Sequence, residues 1–203
     1  MRIISHRGNL TGPSYTENTL NSIRAALDAG FDVEVDIWRK DDSLWLGHDF
    51  PQYYFLDQDL LNDKRIWFHA KNLSALHYMS LYHPKSNFFW HQNDDYTLTS
   101  SGKIWTYPGK SICGESIIVA LDHHRIDSAM QYPIYGICTD DPTYVRNNMT
   151  EKLGIENRYK AYVEGCMIEN VSPISFNDFH AQVLNGKCEI CLLFDDPACS
   201  CEK

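Results

Sequence analysis

The chain has 203 residues, which is enough for one well-filled domain or for one domain with a small appendage. Hydrophobic residues make up 43% of it and charged residues 22%, so its composition is that of an ordinary soluble globular protein. The formal net charge of −9 argues against a non-specific nucleic-acid binder, because phosphate contacts require clustered Lys and Arg. No apolar run reaches the roughly 18 residues of a membrane span.

The seven cysteines bear on the compartment and on metal binding. An odd number, together with a strand-like N-terminus that leaves no room for a signal peptide, favours free thiols in a reducing cytoplasm. Four cysteines lie close together near the C-terminus: Cys188, Cys191, Cys199 and Cys201. This spacing allows a structural zinc site, in which Cys166 or His180 could substitute as a ligand, or a set of free thiols.

Short β-branched or aromatic runs alternate with helical patterns along the chain, which indicates βα units around a parallel sheet. The expected strands are Arg2–Ser5, Asp32–Trp38, Arg65–Ala70, Asn87–His91, Lys103–Thr106, Ser116–Leu121 and Ile134–Thr139, with Leu44–Leu46 as a small extra strand. The expected helices are Leu20–Leu27, closed by Gly30, then Leu73–Leu81, and a third from Pro142 towards Leu153.

This alternation predicts an α/β fold, with residues 1–150 as a TIM-type (β/α) barrel and residues 151–203 as a Cys-rich C-terminal extension. Only seven main strands are found where such a barrel has eight. Either the barrel is irregular and reduced, or the tail completes it. Asn147 to Met149 has a turn-like composition, and the rest of the tail shows only weak alternation.

Polar residues stand where the expected strands end. They are His6 and Arg7, Glu34 and Asp36, His69 and Lys71, His91, and Thr139 with Asp140. In a (β/α) barrel the C-terminal ends of the strands form the active-site face, so we expect these side chains to converge.

Glu34 and Asp36 make the strongest local pattern. Side chains alternate along a strand, so both carboxylates face the same way, while Val33, Val35 and Ile37 face the other. Two carboxylates on one face of an apolar strand resist burial unless a cation lies between them. His6 and His48 add two imidazoles, which suit general acid and base catalysis near neutral pH.

Five short motifs occur in order over roughly residues 1–145. They are His6-Arg7-Gly8, Glu17-Asn18-Thr19, Glu34-Val35-Asp36, Gly47-His48-Asp49 and Thr139-Asp140-Asp141-Pro142. In order and spacing they resemble the H-R-G, E-N-T, E-x-D, H-D and T-D-x-P signatures of the glycerophosphodiester phosphodiesterase family. That resemblance implies a (β/α) barrel of the type shared with phosphatidylinositol-specific phospholipases C.

The resemblance also implies roles for individual residues. His6 and His48 would be the catalytic acid and base, and Glu34 and Asp36 would hold a divalent cation, most often calcium or magnesium. Arg7 would hold a phosphate oxygen, because its planar fork suits that geometry. Glu17 would orient Arg7 or its loop.

One position departs from the family pattern. Where the family has a third metal-binding glutamate two residues before a lysine, this chain has His69 before Lys71. An imidazole ligand favours manganese, zinc or another transition metal over calcium, although a histidine bonded to a backbone carbonyl explains His69 as simply. Lys71 is expected to contact phosphate, and His91 and Trp105 to contact the substrate.

The leading hypothesis is therefore a metal-dependent hydrolase of a small phosphodiester with a neighbouring hydroxyl, acting through a cyclic phosphate. Two alternatives remain open. One is a barrel that binds a phosphorylated ligand without turnover, and the other is a lyase-type variant that releases the cyclic phosphate, as venom phospholipase D relatives of the family do. The substrate headgroup and the oligomeric state do not follow from the sequence.

Overall fold

The computed structural model describes residues 1–168 and 172–185. The chain divides into two compact units, Met1–Arg146 and Asn147–Lys203. The four C-terminal cysteines of the expected zinc motif lie outside the described residues.

The first unit contains ten strands. They are β1 (Arg2–His6), β2 (Asp32–Lys40), β3 (Ser43–Leu46), β4 (Tyr53–Tyr54), β5 (Ile66–Ala70), β6 (Asn87–Phe89), β7 (Tyr96–Leu98), β8 (Ile104–Thr106), β9 (Ser116–Val119) and β10 (Gly136–Thr139). The helices of the described residues are α1 (Leu20–Asp28), α2 (Gln58–Asn62), α3 (Leu73–Tyr82), α4 (His123–Ala129), α5 (Pro142–Ile168) and α6 (Phe176–Leu184).

The strands form one mixed sheet in an α/β arrangement. Its parallel part has the order β6-β5-β2-β1-β10-β9-β8, so β1 lies between the second strand of the chain and the last. Three strands extend it in antiparallel pairing: β3 on β2, β4 on β3, and β7 on β8. The α/β class is therefore as expected from the sequence.

The sheet is curled, and its concave face has an apolar core of its own. Ile4, Trp67, Phe89, Trp105, Ile117 and Cys138 form this cluster, one from each of six parallel strands. The rings of Phe89 on β6 and Trp105 on β8, which belong to the two ends of the parallel order, stack with centroids 4.3 Å apart. Among the described residues no backbone ladder joins β6 to β8.

Helices α1, α2 and α3 cover the convex face around β2. Val33, Val35 and Ile37 are fully buried there, together with Ile23 of α1 and Met79 of α3. Burial of these side chains on one face of β2 leaves Glu34 and Asp36 on the concave face, as the alternation predicts.

Helix α1 begins and ends at the residues that the sequence indicates. The side chain of Thr19 accepts a hydrogen bond from the Ser22 amide, which caps the helix N-terminus. Gly30 follows the C-cap residue Ala29 and has φ +85°, a left-handed conformation that glycine adopts at little cost.

Several elements differ from the sequence expectation. The turn-like residues Asn147 to Met149 lie inside α5, which runs well past Leu153. Strands β4 and β7 and helices α2, α4 and α6 were not predicted, because they are short or carry many polar residues.

The second unit has its own apolar cluster, formed by Ile155, Tyr162 and Cys166 of α5 with Phe179 of α6. The hydroxyl of Tyr159 donates to the carbonyl oxygen of Ile174 at 3.0 Å, before α6 begins. Within the part of the chain that the structure describes, none of the helices combines the length and the apolar character that crossing a membrane requires.

Candidate active site

A single cavity of about 540 Å³ collects most of the residues predicted to be functional. Eight of them line it: His6, Arg7, Glu34, His48, His69, Lys71, His91 and Trp105. The ninth, Asp36, is 1% exposed and lies directly behind two of these side chains. The structure thus brings together residues from six different strands and strand-end loops.

His69 is held beside the two carboxylates by strand pairing and by its second nitrogen. Asp36 and His69 are register partners on β2 and β5, which places Nδ1 of His69 at 3.1 Å from Asp36 Oδ1 and 3.8 Å from Glu34 Oε1. Its Nε2 donates a hydrogen bond to the carbonyl oxygen of His91 at 3.0 Å. The ring also stacks on Phe89, with centroids 5.0 Å apart.

Because Nε2 carries the proton that is donated to His91, Nδ1 of a neutral His69 has no proton, and its lone pair faces two carboxylates. Such an arrangement is repulsive unless a proton or a metal ion lies between them. Donation of the second ring N–H to a backbone carbonyl is also the usual support for a metal-binding histidine. Both explanations of His69 that the sequence left open, the carbonyl bond and the metal ligand, are thus compatible with each other.

The three side chains have the spacing of a metal site. One ligand atom from each of Glu34, Asp36 and His69 lies within 4.8 Å of the others. Ligand atoms bound to one cation at about 2.0–2.5 Å must lie within about 5 Å of each other. Glu34 Oε2 is buried without a hydrogen-bond partner, so Glu34 provides an unused ligand oxygen. The residues present therefore fit a divalent cation.

The two carboxyl groups differ in ionisation although both are buried. Burial and the neighbouring charge of Asp36 raise the pKa of Glu34 above its usual value. Burial also disfavours the charged form of Asp36, but the contact with His69 and the charges of His69, Lys71 and Arg7 hold its pKa well below the usual range. The pKa values of these two neighbouring carboxyl groups are therefore shifted in opposite directions.

Lys71 and Arg7 flank Asp36 on opposite oxygens. Lys71 Nζ lies 3.2 Å from Oδ1, and Arg7 Nε lies 3.1 Å from Oδ2. Lys71 follows β5, and its amide donates to the carbonyl oxygen of Ile37 on β2, which fixes the start of the chain segment that carries it. Both cations line the cavity, where they can also reach an anionic ligand.

Arg7 has an unusual backbone. Its φ of +54° is in the left-handed region, which costs a non-glycine residue about 1–2 kcal/mol and needs support from the surroundings. That support comes from Glu17, whose Oε2 accepts from Arg7 Nη1 at 3.1 Å, and whose Oε1 accepts from Asn9 at 2.8 Å. Glu17 therefore orients Arg7, as the motif implies.

Asn18 is a supporting residue that was not singled out in the sequence. Its side chain donates to Asp36 Oδ2 at 3.0 Å and accepts from the Asp36 amide at 2.9 Å. Asn18 is 2% exposed and has φ +59°. The three successive residues of the E-N-T motif therefore bind Arg7, bind Asp36 and cap helix α1.

His6 is bonded to Asp140, another residue that the sequence placed in a motif without a role. His6 Nδ1 lies 2.7 Å from Asp140 Oδ1, and its Nε2 lies 3.9 Å from Glu34 Oε2. Burial opposes protonation of His6, but the Asp140 hydrogen bond and the Glu34 charge outweigh it and raise its pKa. Asn9 donates to the same Asp140 oxygen at 2.8 Å and fixes it in place.

His48 has different surroundings. It lies in the loop after β3, with Nδ1 2.7 Å from Asp49 Oδ1, and its side chain is 44% exposed. Partial burial and the positive charge of Arg7 lower its pKa. The cavity thus contains one histidine that favours the protonated form and one that favours the neutral form.

The remaining lining residues include one cation that the sequence analysis missed. Arg125 of α4 lines the cavity although neither of its neighbours His123 and His124 does. His123 instead stacks on Tyr144 and contacts Asp141. Only the strand-to-helix path of β9 and α4 brings Arg125 there, and no local pattern signals it.

Comparison of the chain with protein families and with curated proteins gives no match.

Proposed function

We propose that this chain is a metal-dependent phosphodiesterase of the glycerophosphodiester phosphodiesterase type. The observation that carries the proposal is the joint placement of His6 and His48 in the cavity that Glu34, Asp36 and His69 line or support. Two histidines of opposite protonation preference beside a cation site form an acid–base pair with an anion-binding centre.

Glu34, Asp36 and His69 would hold the divalent cation, and Arg7 and Lys71 would contact the remaining phosphate oxygens. When bound, the cation supplies neutralisation of the charge that builds up on the phosphate. Magnesium, calcium and manganese are the candidate ions from sequence, and the imidazole ligand favours manganese among them.

The reaction begins with a hydroxyl oxygen next to the phosphodiester, which attacks phosphorus. His48, neutral because of its lowered pKa, accepts the proton of that hydroxyl. The bond between phosphorus and the leaving alcohol oxygen breaks, and protonated His6, held by Asp140, donates its proton to that oxygen. Water then opens the cyclic phosphate, with the two histidines in exchanged roles, to give a phosphomonoester.

The fold supports this proposal at the level of architecture. β1 pairs with both β2 and β10, the neighbour order of a (β/α) barrel, and the end strands β6 and β8 contact through their inward rings. We therefore propose a reduced TIM-type barrel with seven parallel strands. The free thiols of Cys113, Cys138 and Cys166 favour a reducing, cytoplasmic location.

The test uses the purified protein, a panel of small glycerophosphodiesters and phosphorus NMR, after chelation and metal add-back. Free phosphomonoester is the expected product. Accumulation of cyclic phosphate would instead support a lyase, and an unchanged substrate spectrum with measurable binding would support a binding protein.

Glu34→Gln and Asp36→Asn are each expected to abolish metal-dependent turnover. Glu34→Gln should not destabilise the metal-free protein, whereas Asp36→Asn should lower its stability, because the lowered pKa of Asp36 means that its ionised form stabilises the fold at neutral pH. Because the pKa of Glu34 is raised in the folded protein, ionisation of Glu34 lowers the free energy of unfolding as pH rises above the usual carboxyl pKa. Removal of the Glu34 charge therefore does not destabilise the metal-free protein at neutral pH. Glu151→Gln, at an exposed helix position, is the control. Full activity of either site variant would disprove the metal-site assignment.

A further inference from the structure

The cavity has two chemically different halves. The polar half comes from β1, β2, β5 and the loops after β1, β3 and β5, and consists of His6, Arg7, Glu34, His48, His69 and Lys71. The other half, called the apolar half, comes from β6, β8 and β9 with the segments after them. Its mainly apolar members are Phe89, Trp105, Tyr107, Pro108, Val119 and Leu121, and the segments after β6 and β9 add the polar side chains of His91, Gln92 and Arg125. The proposed reaction uses only the polar half.

The difference between the two halves is clearest when the inward-facing positions of β9 are compared with those of the neighbouring strand β10. The neighbouring strand β10 ends its inward face with Asp140, which binds His6. β9 instead ends with Val119, which packs against the concave-face core, and continues to Leu121, which lines the cavity and is 42% exposed. Apolar side chains exposed inside a polar site are costly unless a ligand covers them.

The floor of the apolar half is rigid and aromatic. Phe89 and Trp105 are 3% and 6% exposed, and their rings stack at 4.3 Å with an interplanar angle of 22°. Phe89 also stacks on His69, so this floor continues directly into the metal-ligand group. A substrate whose phosphate lies in the polar half therefore places one ester group over these rings.

The surface formed by Phe89, Trp105, Val119 and Leu121 is separate from the polar side chains of His91, Gln92 and Arg125 in the lining. Arg125 lines the cavity, but it is paired with Asp122 at 3.3 Å, and its side chain is 55% exposed. A polyol seated on Phe89, Val119 and Leu121 would lose hydrogen bonds to water without replacing them, at a substantial cost. A hydrocarbon group would lose none and would displace water from apolar surface.

We propose that the substrate is a phosphodiester in which one of the two alcohols is apolar, and that Phe89, Trp105, Val119 and Leu121 bind this group. The proposal rests on the proposed phosphodiesterase function. A cavity of about 540 Å³ is within the range of sites that hold a ligand of this size. An aliphatic chain and an aromatic ring share the required chemistry, and the experiment distinguishes them.

The probes are 2-hydroxyethyl phosphodiesters whose second alcohol is methanol, butanol, hexanol or benzyl alcohol. All four retain the neighbouring hydroxyl. In the wild type, kcat/KM is expected to rise from methyl to hexyl by about three- to fourfold for each methylene that becomes buried, or about tenfold or more overall. A benzyl ester that exceeds the hexyl ester would identify the aromatic form of the substrate, and the reverse order the aliphatic form.

Leu121→Asn and Val119→Asn are expected to flatten the increase in kcat/KM from the methyl to the hexyl ester, so the measured quantity is the hexyl-to-methyl ratio within each variant. Leu81→Asn, at a leucine of α3 that is 56% exposed and does not line the cavity, is the matched control and should preserve the increase. Circular dichroism establishes that each variant is folded. Because Val119 and Leu121 are tested separately, the experiment remains valid if one of the two variants does not fold.

Equal kcat/KM values for the methyl and hexyl esters in the wild type would overturn the apolar subsite and leave the phosphodiesterase proposal intact. If no ester is hydrolysed, the phosphodiesterase proposal fails. In that case the apolar subsite is tested by isothermal titration calorimetry with the same metal-loaded protein and the same esters. Tighter binding of the hexyl ester would support the subsite, and equal dissociation constants for the methyl and hexyl esters would overturn it.

Discussion

His6 and His48 face one cavity, but their neighbours set their protonation in opposite directions. His6 is buried against Asp140 and Glu34, and its pKa is raised, whereas His48 is partly exposed near Arg7, and its pKa is lowered. A site that needs one proton donor and one proton acceptor at the same pH benefits from this difference, since both required forms are then populated together.

We predict a bell-shaped pH dependence of kcat/KM. On the acid side, kcat/KM should rise with pH as His48 loses its proton, because its pKa lies below the usual histidine value of about 6.5. On the alkaline side, kcat/KM should fall as His6 loses its proton, because its pKa lies above that value. His48→Ala should remove the acid limb and His6→Ala the alkaline limb, each with a loss of about 10²- to 10⁴-fold in kcat. Full activity of His48→Ala would exclude the two-histidine mechanism.

His69 provides a second prediction at this scale, on metal preference. We expect dissociation constants from titration calorimetry to show tighter binding of manganese and zinc than of calcium, because imidazole nitrogen is a poor ligand for a hard cation. His69→Glu places a carboxylate oxygen at this position. The ratio of the manganese and calcium dissociation constants should then change by about tenfold or more in favour of calcium.

His77→Glu, at an exposed position of α3, is the control for the added charge. It should leave the order of metals as it is in the wild type. If His69→Glu also leaves that order unchanged, then position 69 does not touch the metal, and Glu34 and Asp36 hold it without an imidazole.

At the scale of elements, the segment between β1 and α1 holds the site together. It carries Arg7 and Asn18 in left-handed conformations, and the Asn18 amide donates to the Arg7 carbonyl oxygen at 3.0 Å. Asn18 then binds both the amide and the side chain of Asp36 on β2. This short segment thereby connects Arg7 to the strand that carries Glu34 and Asp36.

We predict that Asn18→Gly lowers the free energy of unfolding by about 1–3 kcal/mol, because the Asp36 amide and Oδ2 each lose a partner. Asn18→Ala should cost about 1–2 kcal/mol more, since alanine strains at a positive φ and glycine does not. Urea denaturation measures both, with Asn93→Gly in an exposed loop as the control. An alanine variant as stable as the glycine variant would mean that the left-handed backbone is not retained.

The seven parallel strands could be predicted because each contains a short run of apolar residues that the fold buries. The two strands and three helices that were missed are mostly short, and helix α4 begins with a polar His-His-Arg-Ile-Asp sequence. α4 forms because Asp122 caps its first turn and because Ile126 and Ala129 are buried. Burial of only two side chains is a tertiary effect that local periodicity does not reveal.

At the scale of the whole molecule, the site depends on contacts between distant parts of the chain. Glu34, Asp36 and the histidines could be proposed from motifs, because residue type and spacing carry that information. The bond between His6 and Asp140 joins residues 134 positions apart, and Arg125 reaches the cavity only through the fold. Such partners require the sheet order, in which the first strand pairs with the last.

The two units provide a prediction at the same scale. Phe179→Ala should destabilise the second unit by about 3–5 kcal/mol, because Phe179 is fully buried in a cluster separate from those of the first unit. All five tryptophans precede residue 147, so tryptophan fluorescence reports the first unit, while circular dichroism reports helices of both.

Urea unfolding should therefore show an earlier change in circular dichroism and an unchanged fluorescence transition for this variant. Phe68→Ala, in the convex-face cluster around β2, is the counterpart and should shift the fluorescence transition. Identical shifts of both signals in Phe179→Ala would show that the two units unfold as one.

The close contact between Gly8 and Ser22 restricts which residue can follow Arg7. A Cβ atom at position 8 would lie 2.7–2.9 Å from three atoms of Ser22, and the φ of +84° adds a second restriction. Any protein that places an arginine over this pair of strands by the same route must then have glycine at the next position, however far the rest of its sequence has diverged. A structural search template built on His6, Arg7 and Gly8 with Asn18 behind Asp36 would therefore detect proteins that share this local arrangement but little overall sequence.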